Sequence, residues 1–420
     1  MSGFSVLLTR LLRWSERYTK LDMVYLASGS FWITLSQAGS TIVSLVVLIA
    51  FANLLTQEDY GTYRYILALA GLLNIFSLTG MKSSVARAVA MGQDGALRAA
   101  VRHQLIWGVL MLAAFLALAG YYFLKGNPIF ALSFLILGIF TPLTIAFSSY
   151  GAYLEGKKDF RLASLATVLS TVIYALGMLA MLLSGSGMVW LVAAYAGATF
   201  FSTTLFYIVT LKLYRPSPAA PTEALAYGRE LTLIGLIDPV VSQIDKIIVA
   251  HFWGPAQLAV YSLAMAVPAR ATSAIKNLVG LGSPKWAAMT PVEINRTFYL
   301  RMLQGALFGA LMTLGYVFTA PYLFYYVLPQ YLDAVLYSQI LAASFIFAIP
   351  NRFVSLLLIS QKRSKTIFTN NLVQNFARIA LYIVMGALGG VTGLVIAFVA
   401  MGALGAIINI ITWRLASRTV

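Results

Sequence analysis

The sequence predicts an all-α polytopic membrane protein with twelve transmembrane helices arranged as two pseudo-symmetric six-helix bundles. Three observations carry this reading. Of the 420 residues, 60% are hydrophobic and 10% charged, against about a quarter charged in a typical soluble domain. Apolar runs of span length recur along the whole chain, each sufficient to cross the hydrocarbon core of a bilayer. The segments between them alternate between strongly basic and almost uncharged.

Twelve spans are expected at residues 28–53, 61–81, 104–124, 129–153, 162–184, 188–211, 230–252, 256–282, 298–320, 333–359, 366–388 and 391–413. One set of connections carries Lys82, Arg87, Arg98 and Arg102; then Lys157, Lys158 and Arg161; Lys212, Arg215 and Arg229; Lys285, Arg296 and Arg301; and Lys362, Arg363 and Lys365. The opposite set holds Lys125 with Glu58, Asp59 and Asp333. Basic loops stay in the cytoplasm, so both termini are expected there, in the cytoplasmic membrane, and the span number is even. Residues 1–20 lack the pattern of a signal peptide. Arg10, Arg13, Arg17 and Lys20 opposite Phe4, Leu7, Leu8, Leu11 and Leu12 read as a basic amphipathic helix among anionic membrane lipids.

The break at residues 212–228, with Pro216, Pro218 and Pro221, reads as a linker between an N-terminal bundle, 21–211, and a C-terminal bundle, 229–420. A weak repeat agrees with this division. Ala52 to Tyr65 aligns without gaps on Ala250 to Leu263, matching Tyr63 to Tyr261. The orientation is unchanged, as in parallel transporter repeats.

Composition removes several chemistries. There is no cysteine, and the two histidines, His103 and His251, fall in different connecting regions, so thiolate and histidine metal sites are not expected. Gly151 to Lys158 approaches a nucleotide-binding P-loop, but Lys158 stands where Ser or Thr is required and no strand precedes it. No catalytic constellation is recognisable, and no enzyme activity, resident cofactor or metal is expected. The formal charge of +16 follows membrane topology, so nucleic acid is not an expected partner.

Function is expected where charge enters the apolar spans. Arg64, Lys246, Arg270, Lys276, Arg352 and Arg378 are cations within spans, with only Asp238 and Asp245 as acids, a local excess of +4. A cation at the bilayer centre costs about 2.5–3.5 kcal/mol on insertion scales, so such residues face water, a counter-ion or an anionic ligand. In span 11, Asn371, Asn375, Arg378 and Tyr382 share one helix face, widened by Asn370 and Gln374. Interhelical hydrogen bonding is the structural alternative for its asparagines. In span 8, Arg270, Ser273 and Asn277 share a face, Pro268 permits a kink, and Lys276 either snorkels or meets ligand. Asp238 and Asp245 in span 7 are candidates for H⁺ or Na⁺ coupling, or for neutralising nearby cations such as Lys246. Pro350 suggests a kink beside Arg352. Arg64 is either a gate or an interfacial anchor, and Tyr322, Tyr325, Tyr326 and Tyr331 suggest an aromatic belt.

Gly29-Ser30-Phe31-Trp32, the run Asn53-Leu54-Leu55-Thr56-Gln57-Glu58-Asp59-Tyr60-Gly61-Thr62-Tyr63, and Phe76-Ser77-Leu78-Thr79-Gly80-Met81 resemble bacterial polysaccharide flippases. These are the Wzx-type proteins of the multidrug/oligosaccharidyl-lipid/polysaccharide exporter superfamily. The resemblance implies two bundles around a central cavity that opens alternately to each side. It implies translocation of undecaprenyl-pyrophosphate-linked oligosaccharides, such as O-antigen repeat units of the cell envelope, with polysaccharide polymerase and chain-length machinery as partners. A pyrophosphate suits arginine, which can contact phosphate through two parallel hydrogen bonds. By depth, Arg270 and Arg378 are the expected central contacts and Arg352 an entry contact. The competing expectation, a cation-coupled multidrug antiporter of the same superfamily, predicts an acid-dominated cavity.

Overall fold

The computed structural model describes residues 23–217, 222–280, 291–360 and 364–417. The amphipathic helix expected over residues 1–20 lies outside the described residues. Every regular element among them is helical. In chain order these are α1 (Met23–Leu54), α2 (Gln57–Leu72, continued by a 3-10 turn to Phe76), α3 (Met81–Ala90), α4 (Ala96–Leu124), α5 (Pro128–Phe147), α6 (Ser149–Gly156), α7 (Phe160–Leu183), α8 (Met188–Tyr214), α9 (Thr222–Ile234), α10 (Asp238–Val241), α11 (Ile244–Gly280), α12 (Pro291–Val327), α13 (Ala334–Ala342), α14 (Phe345–Ser360) and α15 (Ser364–Ser417).

Local chemistry sets several starts. Thr56 Oγ1 accepts from Asp59 N at 3.1 Å and donates to the Asp59 carboxylate at 2.7 Å, closing the first turn of α2. Asn127 caps α5 by accepting from Phe130 N, with Pro128 following it, and Asp159 caps α7 by accepting from Leu162 N.

Among the described residues, eight segments are long and apolar enough to cross a membrane. Two bent pairs, Gln57–Phe76 with Met81–Ala90 (56°) and Ala334–Ala342 with Phe345–Ile359 (40°), raise the number to ten. The 54 residues of α15 would span about 80 Å as one helix, and Gly390, at φ 60° and ψ −143°, divides it. Gly254, at φ 85° and ψ 172°, divides α11. Divided at these two glycines, the ten candidate spans become twelve helical segments among the described residues. Many large apolar side chains point outward, including Leu311, Phe318 and Leu388, as lipid-facing surfaces require.

Helix continuity differs from expectation wherever proline or a turn intervenes. Span 7 is three pieces, because Pro239 cannot donate to the carbonyl of Gly235 and the helix breaks just before it. In span 10 the bend lies at residues 343–344, not at Pro350. Ile346 and Phe347 bond three residues back, to Ala343 and Ser344, and the turn tightens on the N-terminal side, where a proline ring crowds the preceding turn. In α11 the backbone stays helical through Pro268, and the break falls at Gly254 instead. Helix also occupies both ends of the expected linker, to Tyr214 and from Thr222.

The chain packs into two compact units: Met1–Leu48 with Leu73–Leu236, and Ile49–Leu72 with Ile237–Val420. Relative to a division by chain order, packing exchanges two segments. The first unit centres on Met81, Val85, Leu97, Tyr153 and Leu154. The α9 helix joins it through Thr232 Oγ1, which accepts from Gly80 N at 3.1 Å, and through a hydrogen bond from Ser84 to the Ala224 carbonyl. In the second unit α2 lies on α11 so closely that a Cβ at Gly61 would stand 1.7 Å from the Pro255 carbonyl oxygen. Tyr63 and Tyr261, paired by the repeat, each fall six residues after their helix restarts, at Gln57 and Pro255, and both are buried.

Candidate substrate-binding site

All thirteen charged and amide residues singled out in the spans belong to the second unit. Arg64 is carried there by α2, whose packing on α11 overrides its position early in the chain. Asp238 lies on α10; Asp245, Lys246, Arg270, Lys276 and Asn277 on α11; Arg352 on α14; Asn375 and Arg378 on α15.

The cations act on different neighbours. Arg64 and Arg270 both act electrostatically on the buried Tyr60. Arg64 Nε is buried without a hydrogen-bond partner, and Arg270 Nη1 donates to the Ala266 carbonyl at 3.3 Å. Arg352 and Arg378 instead act on Lys276. Lys276 is six residues beyond Arg270, or about 9 Å along the helix. Among the described residues no ion pair engages Lys276, Arg352 or Arg378, and Arg352 Nε is buried without a partner. Like charges gathered without counter-ions raise the free energy of the site until an anion enters.

The acids are differently placed. Asp245 is buried, receives the Tyr261 hydroxyl at 2.8 Å and stands 3.4 Å from Lys246 Nζ. It therefore answers Lys246, whose ammonium also donates to the Ser242 carbonyl at 2.8 Å. Asp238 is exposed, and its Oδ1 accepts from Asn375 Nδ2 at 2.8 Å. No cluster of three metal-ligating side chains occurs among the described residues.

The polar stripe of span 11 divides by function. Tyr382 is buried near Asp245 and Arg378, so the stripe does not continue as an open surface. Asn370 and Gln374 do not simply widen it. Their amides donate to Asn409 Oδ1 at 2.7 and 3.2 Å, and Asn409 Nδ2 donates to Asn351 Oδ1 at 2.9 Å. Beside this network lies a pocket of about 200 Å³ whose walls include Lys276, Arg352, Asn371 and Gln374. Asn277 is exposed but is not one of its lining residues. Sequence reasoning missed Asn409, Asn351 as part of the network, and Tyr60. The one available signal was a single asparagine in the otherwise apolar span 12.

The described residues define a multi-pass helical membrane protein that gathers Lys276, Arg352 and Arg378 among its helices. Residues 26–280 match the profile of the polysaccharide biosynthesis protein family, and the chain belongs to that family. No curated protein is matched by the sequence. Among solved structures, an inward-facing multidrug resistance MATE family transporter of the MOP superfamily is similar at TM-score 0.71 and 16% identity, covering 90% of this chain and 95% of that one. An outward-facing MATE transporter gives 0.64 and 15%, covering 93% and 96%. A MOP superfamily transporter from Pyrococcus furiosus, described as having a binding pocket of reverse polarity, gives 0.63 and 16%, covering 94% and 95%. At these identities the likeness is one of fold.

Proposed function

We propose that this protein moves an undecaprenyl-pyrophosphate-linked oligosaccharide from the cytoplasmic to the outer leaflet of the inner membrane, its site exposed alternately to each side. The observation that carries this reading is the grouping of Lys276, Arg352 and Arg378 without an acidic partner among the described residues. A pyrophosphate supplies the missing charge, and arginine forms charge-assisted hydrogen bonds to it. Family membership supports a polysaccharide precursor as cargo. Arg270 and Arg64 form a further cationic station along the same unit. Translocation requires that the lipid pyrophosphate bind the two access states unequally along the cycle.

Asp238 is the better candidate for H⁺ or Na⁺ coupling, because it is exposed and held by one neutral amide, whereas Asp245 already serves Lys246 and Tyr261. The drug-antiporter alternative needs an acid-dominated site, and these cations oppose it. The test is flipping of a fluorescent lipid-linked oligosaccharide in proteoliposomes. Arg378→Ala should abolish it while the protein still inserts; undiminished flipping overturns the reading.

A further inference from the structure

The pocket beside the cations is built for something other than phosphate. Lys276 and Arg352 belong to its lining, but the rest of that lining is neutral and rich in amides. Phosphate oxygens only accept hydrogen bonds, whereas each Asn or Gln side chain both donates and accepts, as a sugar hydroxyl does. These amides are fixed in place. Asn351 Nδ2 donates to the Gly402 carbonyl at 3.0 Å, Asn409 bridges Asn351 to Asn370 and Gln374, and Thr412 Oγ1 donates to Asn370 Oδ1 at 3.4 Å. A network so tied holds its remaining donors and acceptors in set directions before ligand arrives. Leu358 and Ile367 complete the wall and suit the C–H face of a ring.

Volume narrows the occupant. A cavity of about 150 Å³ holds benzene, so this pocket of about 200 Å³ has room for one substituted six-membered ring. The sugar that meets this description is the first one, bonded directly to the pyrophosphate. The neighbouring position of cations and amides reproduces that covalent order.

We infer that the pocket walled by Asn371, Gln374 and the Asn351–Asn409 network is a monosaccharide subsite that reads the sugar nearest the pyrophosphate. This rests on the lipid-pyrophosphate reading above and adds a specificity determinant to it. Asn371 is its most direct probe: it is exposed, lines the pocket and lies outside the amide chain.

The experiment measures binding of two kinds of probe to the full-length protein in nanodiscs. One is undecaprenyl pyrophosphate without sugar; the other is a set bearing glucose, galactose, N-acetylglucosamine or N-acetylgalactosamine. The wild type should bind at least one sugar-bearing probe about tenfold more tightly than the bare lipid, as one or two added hydrogen bonds allow. Asn371→Ala should erase most of that preference and leave bare-lipid affinity within about twofold by the same reasoning. Gln374→Met should do so as well, with thermal unfolding to confirm that it folds. Equal affinity for bare and sugar-bearing lipids overturns the subsite alone, as does a preference that survives Asn371→Ala. Failure of the wild type to bind any of the pyrophosphate lipids overturns both readings.

Discussion

The hydroxyl of Tyr261 donates a 2.8 Å hydrogen bond to Asp245 Oδ2 across the break at Gly254, joining the two helical parts of α11. Both residues are buried, and Lys246 completes the cluster. Hydrogen bonds to charged groups contribute about 1.5–3 kcal/mol. Tyr261→Phe should lower stability by that order, seen as a reduced unfolding temperature in detergent. Lys246→Met should do likewise. An unchanged melting curve for both would remove the cluster from the forces that hold α11 together.

Charge repulsion gives an opposite sign nearby. Lys276 shares its surroundings with Arg352 and Arg378, so Lys276→Met should raise thermal stability while transport falls. Gains of about 0.5–2 kcal/mol are usual when an unfavourable functional group is removed. A variant that is both less stable and fully active would contradict this account of the site.

Arginine geometry is tested by substitution within charge. Arg378→Lys keeps the cation but loses the planar fork that binds phosphate through two parallel bonds. Flipping should fall about tenfold or more, the scale of roughly 1.4 kcal/mol, with surface expression unchanged. Equal rates for Arg and Lys would mean that only a point charge is needed there.

Gly61→Ala is expected to be severe. The added methyl would meet Pro255 backbone, not a flexible side chain. Overpacking of this kind costs typically about 1–3 kcal/mol, and a backbone obstacle belongs at the upper end. Reduced yield and melting temperature are the readout.

Asn409→Leu should also destabilise, since it leaves Asn351 Oδ1 and the amides of Asn370 and Gln374 without their recorded partner. Each buried polar group so orphaned costs about 1–3 kcal/mol. Comparison with Asn371→Ala, which breaks no recorded bond, separates the network's structural role from ligand contact.

Much of the fold was legible because membrane physics is written locally. A span must be apolar over its own length, so twelve crossings could be counted from composition. What escaped was continuity. Pro350 and Pro268 marked places where a helix is weakened, but the bend falls near residues 343–344 and the break at Gly254, directly before Pro255. The site was legible in kind: the cations and acids in the spans were visible as anomalies. Their partners were not. The pairing of Asp238 with Asn375, 137 residues away, and of Asn370 with Asn409, 39 residues away, has no trace in spacing.

The sequence by itself determined that this is a multi-pass helical protein, and it determined which residues carry charge into the spans. Both follow from the cost of placing polar groups in hydrocarbon, which each segment meets alone. Only the tertiary structure decided that Arg64 and Arg270 both act on Tyr60, that Arg352 and Arg378 both act on Lys276, and that Asp245 stands 3.4 Å from Lys246. Those choices depend on close helix packing, such as Gly61 on Pro255, which brings distant segments within reach of one another's charge.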